Sequence, residues 1–388
     1  MDREFRTMGY QVNQTNASPT LDALFQRITA RNRDAIALVD PLNKPRITGQ
    51  PQLRLTYEQA DRAISALAAH FIEAGLPTHS VIAVQLPNTV EFMLTVLAAH
   101  RAGLVVALFP LLWRQSELVS ALNRTSARAI VTTSRIDGVI YADLAMNAAA
   151  EAFSIRHVCG FGNDLPEGMA SLDQAIARPS NTVRSVVQDG RKAAIISFDV
   201  TSEGFRAVPR THLSVIAGGL ALSLESDVSQ GSIMMSAFAP SSFAGLASSL
   251  AIWLLSGGTL LLHHPFDADV IEQQIREHGC DSLIAQPPRD YVDTEYVARL
   301  DRSTGAISIT APPSGVMAVG GYRFLASDLQ EWGRRLGQGA LLTALPDRLS
   351  GHRLAGRAQD NARAREALLE LGLNPLMVEA FRDRTNAA

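Results

Sequence analysis

Positions 81–108 have the sequence VIAVQLPNTVEFMLTVLAAHRAGLVVAL, and this stretch decides the fold class. Its two ends, 81–86 and 104–108, are short continuous apolar runs, which are typical of strands buried on both faces. Between them, Pro87-Asn88 begins a segment that is apolar on most faces and that Gly103 ends, as expected of a buried helix. A strand, a helix and a strand in succession predict two parallel strands with a crossover helix.

The same alternation extends to both sides of this unit. An amphipathic helix is predicted over 20–32, and Thr56 with Gln59 has the spacing of a capping box ahead of a second helix. Segment 139–189 is less regular and predicts a peripheral elaboration. We therefore expect an α/β fold in which parallel sheets are flanked by helices, followed from Tyr296 by a small α+β unit. Further strands are predicted at 129–133, 193–198, 233–237, 259–262 and 282–285.

Composition excludes several functional classes. The 388 residues carry 35 Lys+Arg against 38 Asp+Glu, so no basic excess indicates a nucleic-acid partner. The two cysteines, Cys159 and Cys280, are far apart and indicate a reducing compartment rather than a disulfide framework. Residues 1–19 form a polar leader without a signal-peptide pattern, and no uninterrupted apolar run predicts a membrane span. We expect a cytoplasmic protein, and no metal-binding motif is found.

A collinear series of motifs resembles the class I adenylate-forming family, the AMP-binding acyl- and aryl-CoA synthetases. The matching stretches, in chain order, are LTYEQ at 55–59, VIAVQLPN at 81–88, RAGLVV at 101–106, PRTH at 209–212, LSGGT at 255–259 and GGYRF at 320–324. The resemblance implies a large N-terminal domain over 20–291 that lacks the distal adenine-binding region. It also implies a truncated C-terminal subdomain over 292–388.

The family's chemistry sets the expected cofactors. Its members form an acyl or aryl adenylate from a carboxylic acid, ATP and Mg²⁺, and usually pass the acyl group to a thiol such as CoA. By resemblance, the partners of this chain are a small carboxylic acid or acyl group and, as one possibility, a subunit supplying the missing region.

The family's phosphate loop corresponds to positions 199–210, between a strand and a helix. By resemblance, Arg206 stands in place of the loop lysine and is a catalytic candidate together with His212. The remaining nucleotide-binding candidates, which offer hydroxyl or backbone groups, are Thr201, Ser202, Gly204 and Thr211.

The same loop departs from the family pattern. Val200 and Glu203 replace glycines, and Asp199 adds a second carboxylate that would repel phosphate. An ordinary surface turn is therefore an open alternative for this loop. A helix-terminal histidine with a local hydrogen bond is the alternative for His212.

Two other regions complete the predicted site. Phe243 and Gly245 are candidates for the wall of the acid pocket, with plain core packing as the alternative for Phe243. Gly320, Gly321 and Tyr322 correspond to the beginning of the family's C-terminal loop.

Two functional hypotheses follow from the resemblance. The first is an acid-activating, AMP-dependent ligase. The second is a non-catalytic relative that binds an acyl or aryl ligand or a partner protein. It is favoured because Tyr296 replaces the ribose-binding aspartate and no lysine follows Lys192.

Overall fold

The structure is a computed structural model. It describes residues 18–178, 183, 185–186, 189–201, 204–225, 228–265, 267–280, 282–284, 292–293, 296–301, 306–310, 316–319, 322–336, 340–347 and 351–370. Most of the predicted leader, 1–17, lies outside this set, as do Ser202, Gly320 and Gly321.

Helices and strands alternate through most of the described chain. The helices are α1 (Leu21–Arg31), α2 (Lys44–Thr48), α3 (Tyr57–Glu73), α4 (Val90–Arg101), α5 (Gln115–Thr125), α6 (Tyr141–Glu151), α7 (Leu172–Ala177), α8 (His212–Glu225), α9 (Phe243–Leu246), α10 (Ile252–Ser256), α11 (Ala268–His278), α12 (Ala326–Arg335) and α13 (Asn361–Glu370). A π-helical turn, Ala247–Ala251, joins α9 to α10.

The strands fall into four sheets. In chain order they are β1 (Ile36–Val39), β2 (Arg54–Thr56), β3 (Val81–Val84), β4 (Val105–Leu108), β5 (Ala129–Thr133), β6 (His157–Phe161), β7 (Ala170–Ser171), β8 (Ala193–Thr201), β9 (Gly204–Thr211), β10 (Ile233–Ser236), β11 (Thr259–Leu262), β12 (Ser282–Ile284), β13 (Val292–Asp293), β14 (Tyr296–Asp301), β15 (Ala306–Thr310), β16 (Val316–Val319), β17 (Tyr322–Leu325), β18 (Leu341–Asp347) and β19 (Gly351–Arg357).

The larger sheet contains the strand–helix–strand unit from which the fold was predicted. Its order is β7-β6-β5-β3-β4-β8-β9, and every neighbouring pair except β8–β9 is parallel. β3 and β4 pair in register from Val81 with Val105, and α4 forms the buried crossover between them. The predicted α/β class is confirmed. The segment 139–189 is more regular than predicted, because β6 and β7 extend this sheet.

A second sheet has the order β12-β10-β11-β1-β2. Only β2 runs antiparallel to its neighbour. The largest apolar cluster joins the two sheets through helices, since it contains Leu97 of α4 together with Val106 of the first sheet and Leu260 and Leu262 of the second. Burial of this shared apolar surface holds the two sheets together.

α1 is fixed to the body by buried polar contacts. Arg101 at the end of α4 forms an ion pair with Asp22 of α1 at 2.8 Å and donates a hydrogen bond to Ser65 of α3 at 2.8 Å. Both Asp22 and Arg101 are almost fully buried, and Arg101 also forms an ion pair with Asp61 at 2.8 Å, so the buried cation is compensated by two carboxylates. The helix predicted at 20–32 is confirmed, and Thr20 caps its N-terminus.

The described C-terminal residues form smaller antiparallel sheets, as the predicted α+β unit requires. One has the order β17-β16-β19-β18 and packs α12 and α13 over a small apolar cluster, while β13, β14 and β15 form another. β17 also lies against β8 of the large sheet. The domain division at 291/292 stays a prediction.

Candidate functional site

The predicted phosphate loop is a β-hairpin in the structure. β8 continues past the predicted strand end to Thr201, and β9 returns antiparallel from Gly204, so two residues join them. Asp199 pairs with Arg206, and Val200 with Phe205. The prediction of a loop over 199–210 is therefore wrong for the residues that lie in β8 and β9. The physical reason is that the segment satisfies its backbone groups by strand pairing instead of leaving them free.

Two arginines lie on one face of β9. Side chains alternate along a strand, so Arg206, Val208 and Arg210 share a face, opposite to Ala207, which packs beside the aromatic cluster of Phe198 and Trp113. Arg206 is exposed near the tip of the hairpin. Arg210 lies four residues further along the strand, roughly 13 Å away by the rise of a strand.

Arg210 contacts the predicted wall of the acid pocket. Its guanidinium carbon lies 4.1 Å from the ring centroid of Phe243, and its Nε donates a hydrogen bond to Ser197 Oγ at 3.4 Å. Phe243 is buried at the start of α9, so its ring provides a fixed platform for the cation. The sequence prediction named Phe243 but missed Arg210, and the alternating pattern of 205–210 was the signal that could have placed it.

Gly245 and the helix that follows pack tightly. A Cβ on Gly245 would meet the carbonyl oxygen of Ala239 at 2.1 Å, so no side chain fits at this turn. The π-helical turn after α9 lies against α8, where Gly219 would clash with Ala251 if it had a Cβ. The structure therefore brings Phe243 and Gly245 together with β9, while their roles as pocket residues stay predictions.

His212 is buried at the opposite end of β9. Its Nδ1 accepts a hydrogen bond from the backbone N–H of Leu21 at 3.4 Å, and its ring lies edge-on to His100 with centroids 4.7 Å apart. Burial lowers the pKa of His212 to about 4, so the ring is neutral at pH 7. His212 begins α8, as the structural alternative predicts, but its side chain bonds α1 across the fold and not a local partner, and its catalytic role stays a prediction.

Of the remaining predicted residues, the structure describes Thr201, Gly204, Thr211 and Tyr322. Thr211 caps α8, since its Oγ1 accepts a hydrogen bond from the Ser214 N–H at 3.1 Å. Thr201 and Gly204 form the last pair of the hairpin ladder. Tyr322 begins β17, which lies against β8, so the C-terminal strand and the hairpin are neighbours.

A nucleotide fits the described residues only in part. Arg206 provides exposed positive charge of the kind that pairs with phosphate oxygens. A phosphate nest, however, needs successive backbone N–H groups directed at the anion, and the strand pairing that runs to Thr201 and Gly204 uses such groups within the hairpin. Within the described ranges, no group of three or more His, Cys, Asp or Glu side chains is placed to hold a metal ion.

The two helix-flanked sheets and the arginine-bearing hairpin define an α/β protein with the fold of acyl-CoA ligase structures. A long-chain-fatty-acid-CoA ligase from Archaeoglobus fulgidus matches 68% of this chain and 50% of its own with a TM-score of 0.58 at 16% identity. Mycobacterium smegmatis MbtA, in its apo structure, matches 92% of this chain and 89% of its own with a TM-score of 0.62 at 16% identity.

The chain belongs to the AMP-binding enzyme family, whose sequence model matches residues 25–289. A medium-chain fatty-acid–CoA ligase of Escherichia coli is 25% identical over 239 residues, which are 61% of this chain and 42% of that protein. A salicyl-AMP ligase / salicyl-S-ArCP synthetase of Mycobacterium tuberculosis is 24% identical over 209 residues, 54% of this chain and 35% of that protein. The chain thus spans less than half the length of these curated relatives.

In the part of the chain that the structure describes, no helix has both the length and the apolar character needed to cross a membrane.

Proposed function

We propose that the protein binds a carboxylic acid beside Arg210 and Phe243 and activates it as an acyl adenylate. The observation that carries this proposal is the Arg210 guanidinium, held 4.1 Å from the ring centroid of Phe243 on the face of β9 that also bears Arg206. A guanidinium fixed against an aromatic ring pairs well with a carboxylate, because its planar fork matches the two carboxylate oxygens.

The two arginines have separate tasks in this proposal. Arg210, half-buried at the base of the hairpin, neutralises the carboxylate of the acid, and Phe243 contacts its organic part. Arg206, exposed near the tip, attracts the phosphates of ATP. When bound, ATP with Mg²⁺ would supply the adenylyl group. CoA is the proposed acceptor of the acyl group, by analogy with the fatty-acid–CoA ligase relative.

The second candidate function is acid binding without adenylation. The hairpin favours it, because strand pairing continues to Thr201 and Gly204 and places Val200 in the ladder at a position where the family has a glycine. A valine in a paired strand resists the open backbone that a phosphate nest requires.

An ATP–pyrophosphate exchange assay over a panel of aryl and fatty acids tests the proposal. We expect acid-dependent exchange in the wild type. Arg210→Met should lose roughly 10- to 100-fold in apparent affinity for the acid. Arg206→Ala should instead have a lower apparent affinity for ATP. Arg276→Ala is the matched control, because Arg276 is exposed on α11 and pairs only locally with Glu272 among the described residues.

Thermal unfolding with the same acids separates the two candidates. An acid-induced rise in Tm that Arg210→Met abolishes, without any exchange activity, supports acid binding alone. Neither exchange nor an acid-induced shift in any member of the panel would remove both candidates.

A further inference from the structure

A hydrogen-bonded junction connects the two large sheets at the carboxyl ends of their strands. Asn88 lies in the connection between β3 and α4, and its Nδ2 donates to the carbonyl oxygen of Ser236 at 2.9 Å and to that of His263 at 3.2 Å. Ser236 is the last residue of β10, and His263 directly follows β11. The crevice outside the carboxyl ends of parallel strands is where α/β proteins commonly bind ligands.

Three polar atoms around this junction are buried without a hydrogen-bond partner among the described residues: Asn88 Oδ1, Ser236 Oγ and His264 Nε2. Their residues are 1%, 0% and 4% exposed, so bulk solvent does not reach them. Buried polar atoms are nearly always hydrogen-bonded in native proteins, because leaving one unpaired is unfavourable. Three such atoms at one junction indicate that a polar molecule binds there and supplies the missing hydrogen bonds.

The Asn88 side chain brings the three residues together, because it hydrogen-bonds the backbone of Ser236 and that of His263, the neighbour of His264. Ser236 alternates with Met235 and so points to the side of Met234, which belongs to the cluster that joins the sheets. His264 lies just beyond the end of β11 and directly follows His263, whose carbonyl oxygen Asn88 contacts. Asn88 reaches both strand ends from the first sheet, so the set lies where the carboxyl ends of the two sheets meet.

The chemistry of these three side chains favours an uncharged ligand. An asparagine oxygen only accepts, and a serine hydroxyl both donates and accepts. Burial lowers the pKa of His264 to about 3, so its ring is neutral and each nitrogen either donates or accepts. No full charge is available to hold an ion, whereas a hydroxyl group donates one hydrogen bond and accepts others.

We propose that Asn88 Oδ1, Ser236 Oγ and His264 Nε2 together bind one hydroxyl group, supplied by a water molecule or by a small neutral hydroxylated ligand. The hydroxyl donates to Asn88 Oδ1 and accepts from Ser236 Oγ or His264 Nε2. This site shares no residue with the pair formed by Arg210 and Phe243, and it stands whether or not the protein activates an acid.

The stability of Ser236→Ala tests the site, because the change in Tm has opposite signs when a hydroxyl group is bound and when Ser236 Oγ has no partner. If the hydroxyl group is bound, the variant loses a hydrogen bond and its Tm falls by roughly 2 °C. If Ser236 Oγ has no partner, its removal relieves an unfavourable burial and the Tm rises or stays constant. Ser249→Ala is the matched control, since Ser249 is equally buried and donates to the Gly245 carbonyl oxygen at 2.6 Å.

A crystal structure of the wild-type protein identifies the source of the hydroxyl and does not depend on the variant folding. A single water-sized peak between the three atoms indicates water. Extended density, with a compound recovered by mass spectrometry after denaturation, indicates a hydroxylated ligand. Absence of density between the three atoms, or a Tm of Ser236→Ala at or above that of the wild type, overturns the proposal.

Discussion

Lys44 occupies a buried position in which one cation faces two carboxyl groups. It is 1% exposed, its Nζ lies 2.5 Å from Asp40 Oδ2, and it also forms an ion pair with Glu91. Asp40 Oδ1 in addition accepts a hydrogen bond from the Val90 N–H at the beginning of α4, at 2.7 Å. Burial, followed by the charge of Glu91, raises the pKa of Asp40 to about 7.

This raised pKa predicts a pH-dependent difference between the wild type and Asp40→Asn. The unfolded Asp40 has a pKa of about 3.9, so between pH 4 and pH 7 the folded state binds more protons. Its contribution to the free energy of unfolding therefore falls as pH rises through this range, by at most about 1.4 kcal/mol per pH unit. Asp40→Asn lacks this contribution. The free energy of unfolding of the variant minus that of the wild type should therefore increase from pH 4 to pH 7 and stay constant above pH 7.

Urea unfolding at intervals from pH 4 to pH 8 measures this difference. Asp34→Asn, which removes an exposed carboxylate from the connection before β1, serves as the control. Curves for Asp40→Asn and the wild type that stay parallel across the range would contradict a raised pKa for Asp40.

At the scale of elements, the sequence predicted short apolar strands. It did not predict where a strand ends when that end depends on pairing with another strand. β5 and β11 have the predicted bounds, because continuous apolar runs ended by polar residues or glycine determine them locally. β8 exceeds its predicted end because β9 pairs with it, and Asp199 to Thr201 have no apolar pattern of their own. β1 was not predicted, although Ile36–Val39 is also a continuous apolar run.

The sequence identified several residues of the candidate site but did not predict how they are arranged in space. Phe243 was named from its position in a motif, and the structure shows it in contact with Arg210. Arg206 was named as a loop cation, and it lies on a strand instead. Asn88, Ser236 and His264 come together only through tertiary packing, so no local pattern could identify their junction.

The packing of α8 against the π-helical turn predicts opposite effects for two glycine-to-alanine substitutions. Alanine usually stabilises a helix interior relative to glycine by roughly 0.5–1 kcal/mol. At Gly219 of α8, however, the new Cβ would lie 2.4 Å from Ala251 Cβ and 3.0 Å from its backbone carbon, so Gly219→Ala should destabilise the protein. At Gly333 of α12 the nearest atom is Leu342 Cβ at 3.9 Å, so Gly333→Ala should stabilise it.

Chemical denaturation of the two variants gives the comparison directly. Stabilisation by both Gly219→Ala and Gly333→Ala would show that helix propensity outweighs the close approach of Gly219 to Ala251. The two sites serve as controls for each other, because the same methyl group is added within a helix in both cases.

At the scale of the whole molecule, the three tryptophans report on three different apolar clusters. Trp253 lies in the cluster that joins the two large sheets, Trp113 lies in the second cluster of the larger sheet, and Trp332 packs against the C-terminal cluster. The first two clusters share the strands of one sheet, whereas the third contains only four buried side chains among the described residues.

This arrangement predicts two unfolding transitions. With 5-fluorotryptophan incorporated, the native ¹⁹F resonances of Trp113 and Trp253 should disappear together as urea rises, and that of Trp332 at a lower concentration. The reason is that a small cluster buries less apolar surface and opens locally at a lower free energy. Disappearance of all three resonances at one urea concentration would instead show a single cooperative unit.

The position of β1 in the second sheet has a consequence for biosynthesis. β1 pairs with β11, and the Ile36 carbonyl oxygen accepts a hydrogen bond from Thr259 Oγ1, 223 positions later in the chain. A ribosome that adds about 5–20 residues per second needs roughly 10–45 seconds to supply that partner. During this interval the nascent β1 and the apolar side of α1 lack their final neighbours, which makes them natural sites for chaperone capture.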